Sequence, residues 1–484
     1  MKQITNPYLP LNEYVPDGEP HLFEGRVYIY GSHDSFGEFP FCHKDYVTYS
    51  CPIDDLTSWR YEGIIYPKKN KDPYSKNGKN DYYAPDVCKG NDGRYYLYYS
   101  YSWSSVISVA VSSSPKGPFE FLGFVKYKDG QIYGKRKGDH FAFDPGVYVD
   151  DDERIYLYSG FGAISFFPQI PFGHKPSGGY GMELLDDMLT IKSEPVKLMN
   201  KPGEDNSFPK EHAFFEASSM RKIKGRYYYI YSSLNGHELC YATSSSPLGP
   251  FKYGGVIISN GDVGYNNRTK KNACYPLGNN HGSILEINND YYIFYHRHTN
   301  YTNTDRQAMA EKIEILEDGS IPQVEKTSMG LNSKPLSGKG EYKASICSTL
   351  IPNCGNIFYP FFRPPFFSLF KTYITQKNKD DKEETQYIHN VKNNTIIGYK
   401  YFDLSNSKKI ILNVSGKFKG NVLLQLKEDG NCISNVKIDF KSKNYKIEIP
   451  LKDTTSKDAI FFKFIGKGKF DFDSFVIEWK TTMD

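Results

Sequence analysis

Residues 213–233, AFFEASSMRKIKGRYYYIYSS, place one carboxylate, Glu216, in an apolar run and follow it with an aromatic-rich strand. Burying an isolated carboxylate costs free energy unless the protein satisfies its charge or uses it. The same pattern of a polar residue followed by an aromatic strand recurs four more times in the chain. These copies are PDGEPHLFEGRVYIYGS at 16–32, APDVCKGNDGRYYLYYS at 84–100, FDPGVYVDDDERIYLYSG at 143–160 and HGSILEINNDYYIFYHR at 281–297.

The five copies form a regular repeat, because their matching tyrosines lie 60 to 72 residues apart, at Tyr28, Tyr96, Tyr156, Tyr228 and Tyr292. A unit of this length has room for four strands and their loops. A Pro-x-Gly-Pro turn, expected to join outer strands, recurs two units apart in AVSSSPKGPF and ATSSSPLGPF. Long helical periodicity is absent, and two stacked β-sandwiches would not explain five equal units. The pattern predicts an all-β fold with a five-bladed β-propeller.

The polar residue of each copy lies 10 to 12 residues before the matching tyrosine, at Asp17, Asp86, Asp144, Glu216 and His281. The innermost strands of a propeller line its channel, so we expect these side chains to converge at one mouth. Each aspartate on its own is explained as a turn former. The similar distance of all five polar residues from their matching tyrosines instead favours a functional site. Carboxyl groups with separated pKa values suit glycosidic bond hydrolysis, in which one donates a proton and another activates water.

The overall composition excludes several classes of function. Charged residues make up 24% of the 484 residues and the net charge is +4, which is typical of a soluble globular protein without a nucleic-acid surface. The absence of an apolar signal segment or an 18-residue apolar run predicts a cytoplasmic protein that does not span a membrane. The eight cysteines have no CxxC spacing and are expected to be free thiols. The oligomeric state is left open.

In the order and spacing of these motifs, residues 5–325 resemble glycoside hydrolase family 43, whose members are five-bladed propellers. The resemblance implies that Asp17 is the general base, that Glu216 is the general acid and that Asp144 raises the pKa of the acid. It also implies that His281 lies in the channel, where family members often hold a calcium ion. We therefore expect no required cofactor, with calcium as an optional structural ion.

Further residues are predicted to contact the sugar. Asp86 is one of the five polar residues of the repeat. Arg306 lies where related enzymes carry an arginine that reaches the sugar, although a role in a surface salt bridge explains it equally well. Trp103 follows a second-blade strand and is expected to form an apolar wall. His33 and Asp34 are expected to border the sugar subsite.

Three other residues bear on these assignments. Tyr83 replaces the tryptophan of the family's second-blade Trp-Ala-Pro motif, which leaves the shape of the sugar pocket open. Glu211 is the second candidate for the acid, but its odd offset from Glu216 turns it to the other strand face. Trp59 is expected to pack between blades.

The resemblance implies an inverting mechanism, in which the two carboxyl groups stand about 6.5–9.5 Å apart. The leading hypothesis is exo action on oligosaccharides, with endo action left open, and the resemblance implies α-L-arabinofuranosides or β-D-xylosides as substrates. Galactofuranosides or galactans are the alternative within the family. Outside it, the alternatives are a non-catalytic sugar-binding propeller and a retaining five-bladed family such as the fructan-cleaving glycosidases.

The sequence divides into a propeller at 1–325, a polar linker at 326–345 and a region of short alternating strands at 346–484. The strand pattern of the last region predicts a β-sandwich. This domain resembles a carbohydrate-binding module of family 6, although a purely structural role explains it equally well. The apolar run IFYPFFRPPFFSLF at 357–370 is expected to be buried against the propeller, because an exposed run would favour aggregation.

Overall fold

The computed structural model describes residues 3–102, 104–162, 177–201, 203–204, 207–361, 363–379 and 383–480, so the predicted contact residue Trp103 lies outside the described residues. Five antiparallel sheets follow one another along the chain and form the predicted propeller. The first blade holds β1 (Glu19–Phe23), β2 (Arg26–Tyr30), β3 (Tyr46–Pro52) and β4 (Arg60–Tyr66), and the second holds β5 (Tyr82–Lys89), β6 (Tyr95–Tyr101), β7 (Ser108–Ser112) and β8 (Glu120–Phe124).

The third blade holds β9 (Gly146–Val149), β10 (Ile155–Phe161), β11 (Gly178–Leu184) and β12 (Val196–Met199). The fourth holds β13 (Phe214–Ile223), β14 (Arg226–Ser233), β15 (Glu238–Ser244) and β16 (Lys252–Ser259), and the fifth holds β17 (Ile284–Ile287), β18 (Asp290–His298) and β19 (Arg306–Ile313). Short 3-10 helices occur at Lys210–His212, Tyr265–Asn267, Lys270–Asn272 and Ala344–Ile346.

The described part of the fifth blade has three strands rather than the four predicted for each unit, and the N-terminal segment covers its outer edge. The Asn6 side chain donates to the Ala310 carbonyl at 2.8 Å and accepts the Ala310 backbone N–H at 3.0 Å. The Gln307 side chain donates to the Leu11 carbonyl at 2.7 Å. Tyr8 packs in one apolar cluster with residues of the first and fifth blades. The N-terminal segment therefore closes the ring of blades.

The two Pro-x-Gly-Pro turns join the third and fourth strands of the second and fourth blades, as expected. Each turn accepts a hydrogen bond from a buried tyrosine of the preceding blade. The Tyr30 hydroxyl donates to the Pro115 carbonyl at 2.5 Å, and the Tyr158 hydroxyl donates to the Pro247 carbonyl at 3.0 Å. The motif recurs two units apart because the same contact between neighbouring blades is made twice.

The second domain is all-β, as predicted, and its nine strands form a single sheet. The strands are β20 (Leu336–Ser337), β21 (Gly340–Lys343), β22 (Thr349–Ile351), β23 (Tyr373–Thr375), β24 (Tyr387–Val391), β25 (Ile396–Asp403), β26 (Ser407–Gln425), β27 (Cys432–Pro450) and β28 (Asp458–Trp479). β28 pairs with β26 along one edge and with β21, β24 and β25 along the other. Long continuous strands therefore curl one sheet around its own apolar core, where two separate sheets were expected.

The linker is shorter than the predicted 326–345. β20 and β21 lie within that range and pair with β25 and β28. Leu336 is fully buried in the core of the second domain. The polar composition of this stretch concealed edge strands, which need few apolar side chains because only one face is covered.

The apolar run 357–370 is not buried as expected. Phe358, Phe361, Phe366 and Phe370 are each between 44% and 68% exposed. The run contains one short helix, α1 (Pro365–Ser368). The propeller bonds to the backbone of the run and buries Tyr359, whereas these four phenylalanine rings stay exposed.

No helix in the described ranges combines the length and the apolar character needed to cross a membrane. All eight cysteines are free, six of them buried and two exposed, in agreement with the predicted free thiols.

The closing contact of Asn6 can be tested by the variant Asn6→Ala. The substitution leaves the buried polar groups of Ala310 without partners, and each such loss costs about 1–3 kcal/mol. We expect a fall of this size in the free energy of unfolding, measured by denaturant titration of the intact chain. Asn435→Ala, at an exposed position of β27, is the matched control and should change stability by less than about 0.5 kcal/mol. Equal effects of the two variants would contradict the closing role of Asn6.

Candidate active site

One mouth of the propeller channel opens into a cavity of about 600 Å³. Four of the five polar residues of the repeat converge there and line the cavity: Asp17, Asp144, Glu216 and His281. Arg306 of β19 lines the same cavity and is 3% exposed, which excludes the alternative of a surface salt bridge.

Asp86, the fifth residue in phase, does not reach the cavity. It is fully buried, and its carboxylate bonds to His21 Nε2 at 2.6 Å and accepts the Val147 backbone N–H at 2.7 Å. Ala84 lines the cavity in its place. Ala84 precedes Tyr96 by twelve residues, as Asp144 precedes Tyr156, so the true equivalent in the second blade carries no carboxyl group.

The inner strands bend where they meet the cavity. Asp17, Ala84, Asp144 and Ala217 have positive φ angles of 56°, 33°, 46° and 67°, a conformation that non-glycine residues rarely adopt. The pairing of β13 with β14 shifts register on both sides of Glu216, which marks a β-bulge. The strain therefore recurs at equivalent places in four blades, where it aims side chains into the cavity.

Asp17 is held by Arg306. The guanidinium Nη1 donates to both carboxylate oxygens, at 2.7 and 3.0 Å. Asp34 binds the other side of the guanidinium, accepting from Nε at 2.8 Å and from Nη2 at 2.9 Å. The Phe41 ring lies 4.7 Å from the guanidinium carbon. Arg306 thus joins the two aspartates, and its planar fork suits this double pairing.

Four other residues singled out from the sequence, Asp34, His33, Glu211 and Trp59, lie outside the cavity lining. Asp34 is 1% exposed behind Arg306, so it positions the arginine and does not line the cavity. His33 bonds to the Asp45 carbonyl at 2.8 Å and is also outside the lining. Glu211 is exposed in a 3-10 helix away from the cavity. Trp59 packs against Tyr8 in a tilted arrangement with ring centroids 4.9 Å apart, in the cluster between the first and fifth blades.

The pKa values of the other two carboxyl groups are raised. Burial raises the pKa of Glu216 well above its ordinary value, and the nearby charge of Asp144 raises it further. Burial also raises the pKa of Asp144 to about 7, with Asp17 adding to the effect and His281 opposing it. Asp144 Oδ2 accepts the Ala217 backbone N–H at 3.3 Å. Two carboxyl groups in this state share protons near neutral pH.

His281 lies below the carboxyl groups as a cation. Its Nδ1 is 3.7 Å from Asp144 and its Nε2 is 3.7 Å from Glu19. Burial lowers the pKa of His281, but hydrogen bonding to Glu19 and the charges of Asp144 and Asp17 outweigh burial and raise it to about 9. Arg221 donates to the other oxygen of Glu19 at 2.7 Å.

A calcium ion does not fit His281 as this structure places it. Calcium takes six to eight oxygen ligands, whereas both ring nitrogens of His281 face carboxylates and carry protons at neutral pH. Among the described residues, the nearest cluster of metal-ligand type is Glu19, His21 and Asp86. There, Asp86 is already bonded to His21, and Glu19 is paired with Arg221. The remaining oxygen, Glu19 Oε1, faces His281 Nε2 at 3.7 Å.

Aromatic side chains surround the mouth and form what we call the aromatic collar. It consists of Phe361, Phe41, Tyr83, Phe143, Phe161 and Phe215, in this order of contact. Successive ring centroids are 6.0, 6.4, 6.0, 5.5 and 5.1 Å apart. Tyr83, which replaces the tryptophan expected from the resemblance, therefore takes part in the wall.

The sequence holds a local signal for part of this wall. Tyr83 and Phe143 each lie directly beside a position with a positive φ angle, and Phe215 lies directly beside Glu216 in the β-bulge. An aromatic residue next to the cavity-lining position of an inner strand thus marks a wall position. No such signal exists for Phe41 or Phe361, because long-range packing brings them to the mouth. Glu19, two residues after Asp17, was also missed.

Comparison with known families gives one match over most of the propeller. The family Glycosyl hydrolases family 43 matches residues 13–321. A xylosidase/arabinosidase of Thermoclostridium stercorarium is 45% identical over 482 residues, covering 98% of this chain and 99% of the relative. A xylosidase/arabinosidase of Bacteroides ovatus is 31% identical over 317 residues, covering 60% of this chain and 87% of the relative.

Two solved structures are similar in fold. A family 43 arabinoxylan arabinofuranohydrolase from Bacillus subtilis has a TM-score of 0.51 at 21% identity, covering 98% of this chain and 97% of that chain. A family 43 β-xylosidase/α-arabinofuranosidase from a compost metagenome has a TM-score of 0.50 at 27% identity, covering 65% of this chain and 96% of that chain. The likeness of the second domain to a family 6 carbohydrate-binding module stays a prediction.

The variant Glu19→Gln tests the charge network below the carboxyl groups. It removes one of the negative charges that hold His281 protonated, so we expect the pKa of His281 to fall from about 9 by about one to two units. The measurement is an NMR titration of the imidazole Cε1–H signal, assigned with His281→Asn. Glu24→Gln, in the turn between β1 and β2, is the matched control and should leave this pKa in place. An unchanged titration in Glu19→Gln would contradict the network.

Proposed function

The chain belongs to glycosyl hydrolase family 43, and we propose that it is an inverting, exo-acting glycosidase of β-D-xylosides and α-L-arabinofuranosides. The proposal is supported chiefly by one observation: Asp17, Asp144 and Glu216 line one cavity in different electrostatic settings. A binding-only propeller would have no use for a carboxyl group whose pKa is raised beside one held by a guanidinium.

Asp17 is the proposed general base. Arg306 fixes the orientation of its carboxylate through two hydrogen bonds. A carboxylate has about four acceptor sites, so this pairing leaves acceptor capacity for a water molecule. Asp17 accepts a proton from that water as the water oxygen attacks the anomeric carbon.

Glu216 is the proposed general acid. It gives its proton to the glycosidic oxygen as the bond from that oxygen to the anomeric carbon breaks. An acid must be protonated at the working pH, and burial together with the charge of Asp144 keeps Glu216 protonated near neutrality. The products are a sugar of inverted configuration and a free alcohol, and proton exchange with water restores Asp17 and Glu216.

The sugar preference is supported by the relatives. Curated relatives at 45% and 31% identity are named xylosidase/arabinosidase, and the first matches this chain over its whole length. A cavity of about 600 Å³ surrounded by an aromatic collar suits the end of a chain better than its middle, which favours exo action on an oligosaccharide. Galactofuranosides remain the alternative sugars. The free cysteines support a reducing compartment such as the cytoplasm.

Aryl and alkyl glycosides of xylopyranose, arabinofuranose and galactofuranose test the reaction. We expect cleavage of the first two and, by NMR during the reaction, release of xylose in the α configuration from a β-xyloside. Asp17→Asn should lower kcat by about 10²–10⁴ for all substrates. Glu216→Gln should lower it more for alkyl than for nitrophenyl leaving groups, because nitrophenol needs less help from an acid. Retention of configuration would contradict the inverting mechanism, and absence of cleavage would favour a binding function.

The variant Asp144→Asn tests the tuning of the acid. Removing the negative charge lowers the pKa of Glu216, so Glu216 loses its proton at a lower pH. We expect the alkaline limb of the pH profile of kcat/KM to shift to lower pH by about one unit. The alkaline limb reports the acid, and the acidic limb reports the base. A profile that merely drops in height, with both limbs in place, would contradict a tuning role.

A further inference from the structure

The second domain supplies part of the cavity wall. Phe358 and Phe361 line the same cavity as Asp17 and Glu216, although both lie far outside the propeller in sequence. Phe358 is 44% exposed and Phe361 is 56% exposed, so each ring keeps free surface for a ligand. Both belong to the apolar run 357–370, which the sequence alone placed in a buried interface.

The propeller holds this segment by its backbone. The Leu277 N–H donates to the Ile357 carbonyl at 3.1 Å, and the Tyr359 N–H donates to the Leu277 carbonyl at 2.7 Å. The Asn303 N–H donates to the Pro360 carbonyl at 2.7 Å. Tyr359 is buried in a cluster with Tyr301 and Tyr373. These bonds anchor the segment on both sides of Phe358, so the ring has a fixed place at the mouth.

The two rings lie on different sides of the cavity. Phe358 lies against Gly236, where an added Cβ would come within 3.1 Å of the ring, in the turn that follows β14. β14 pairs with β13, which carries Glu216. Phe361 instead contacts Phe41, the ring that stacks on Arg306. Phe358 is therefore on the side of the acid and the leaving group, and Phe361 is on the side of the base.

The polar group next to Phe358 is already bonded within the protein. The Asn235 amide donates to the Glu238 carboxylate at 3.0 Å and accepts from Lys270 at 2.5 Å. Asn280, also in the lining, donates to Asn260 at 2.9 Å and accepts a backbone N–H at 3.4 Å. A sugar leaving group carries hydroxyls that need partners when buried. An apolar leaving group has no such need.

We propose that Phe358 and the acid-side collar residues Phe161 and Phe215 form a subsite for flat, apolar leaving groups. The natural substrates would then include glycosides of aromatic or other apolar alcohols, in addition to sugar chains. This inference rests on the proposed glycosidase function and deepens it by assigning the class of leaving group. The second domain acts here as a specificity element of the active site.

Benzyl and methyl β-D-xylosides, with the corresponding α-L-arabinofuranosides, separate apolar recognition from leaving-group chemistry. The two alcohols are similar in acidity, so acid catalysis treats them alike, and they differ in the apolar ring. We expect kcat/KM for the benzyl glycoside to exceed that for the methyl glycoside about tenfold, because the benzyl ring is buried against aromatic side chains of the enzyme. The full-length enzyme is used, with release of the free sugar as the readout.

Variants locate the subsite. Phe358→Ala should reduce the benzyl-to-methyl ratio to about threefold or less, and Phe358→Leu should retain an intermediate ratio because it keeps apolar area but not a flat face. Phe366→Ala is the matched control, since Phe366 is exposed on the same segment and does not line the cavity. It should leave the ratio unchanged. Thermal unfolding of each variant confirms that the chain is folded.

Each result has one meaning. Equal kcat/KM for both glycosides in the wild type would overturn the apolar subsite while leaving the glycosidase function intact. A high ratio that persists in Phe358→Ala but falls in Phe361→Ala would overturn the assignment of Phe358 to the leaving-group side. Cleavage of neither glycoside would count against the proposed function itself.

Discussion

The buried guanidinium of Arg306 determines how the mouth of the channel is built. It pairs with Asp17 and Asp34 at once, and it is enclosed by Phe41 and the Cys42 thiol. Removing one member of a buried ion pair leaves an uncompensated charge, at a cost of about 3–5 kcal/mol. Arg306 lies on the fifth blade and Asp17 precedes the first, so this pairing spans the seam where the ring closes. The proposed base and the closure of the propeller therefore depend on the same contact.

The acid side of the mouth is organised differently. Within the described part of the chain, Glu216 and Asp144 have no guanidinium partner, and the nearest cation is His281, which is itself held protonated by Glu19. The environment thus pushes two carboxyl groups toward the neutral form while the guanidinium pairs with the third. The separation of an acid from a base arises here from where the cations lie, not from the chemical identity of the carboxyl groups.

Sequence reasoning found the repeat because aromatic strands at equal spacing have few structural explanations. It placed Asp17, Asp144, Glu216 and His281 at one mouth because they occupy similar positions before the matching tyrosine of their blades. It failed for Asp86 because a difference of two positions along a strand moves a side chain from the mouth into the channel wall. It failed for Asp34 and His33 because adjacency in sequence to a blade strand does not specify which side chain faces the cavity.

The apolar run at 357–370 shows a different limit. Its composition is that of a buried interface, yet the run is held by its backbone and by Tyr359, while Phe358 and Phe361 stay exposed at the mouth. The hydrogen bonds of Leu277 with Ile357 and Tyr359, and of Asn303 with Pro360, set this arrangement, and such contacts between domains have no local sequence pattern. The relative from Thermoclostridium stercorarium matches this chain over 98% of its length, so the similarity includes the second domain as well as the propeller. A domain whose side chains complete the cavity cannot vary independently of the substrate, whereas a separate binding module could.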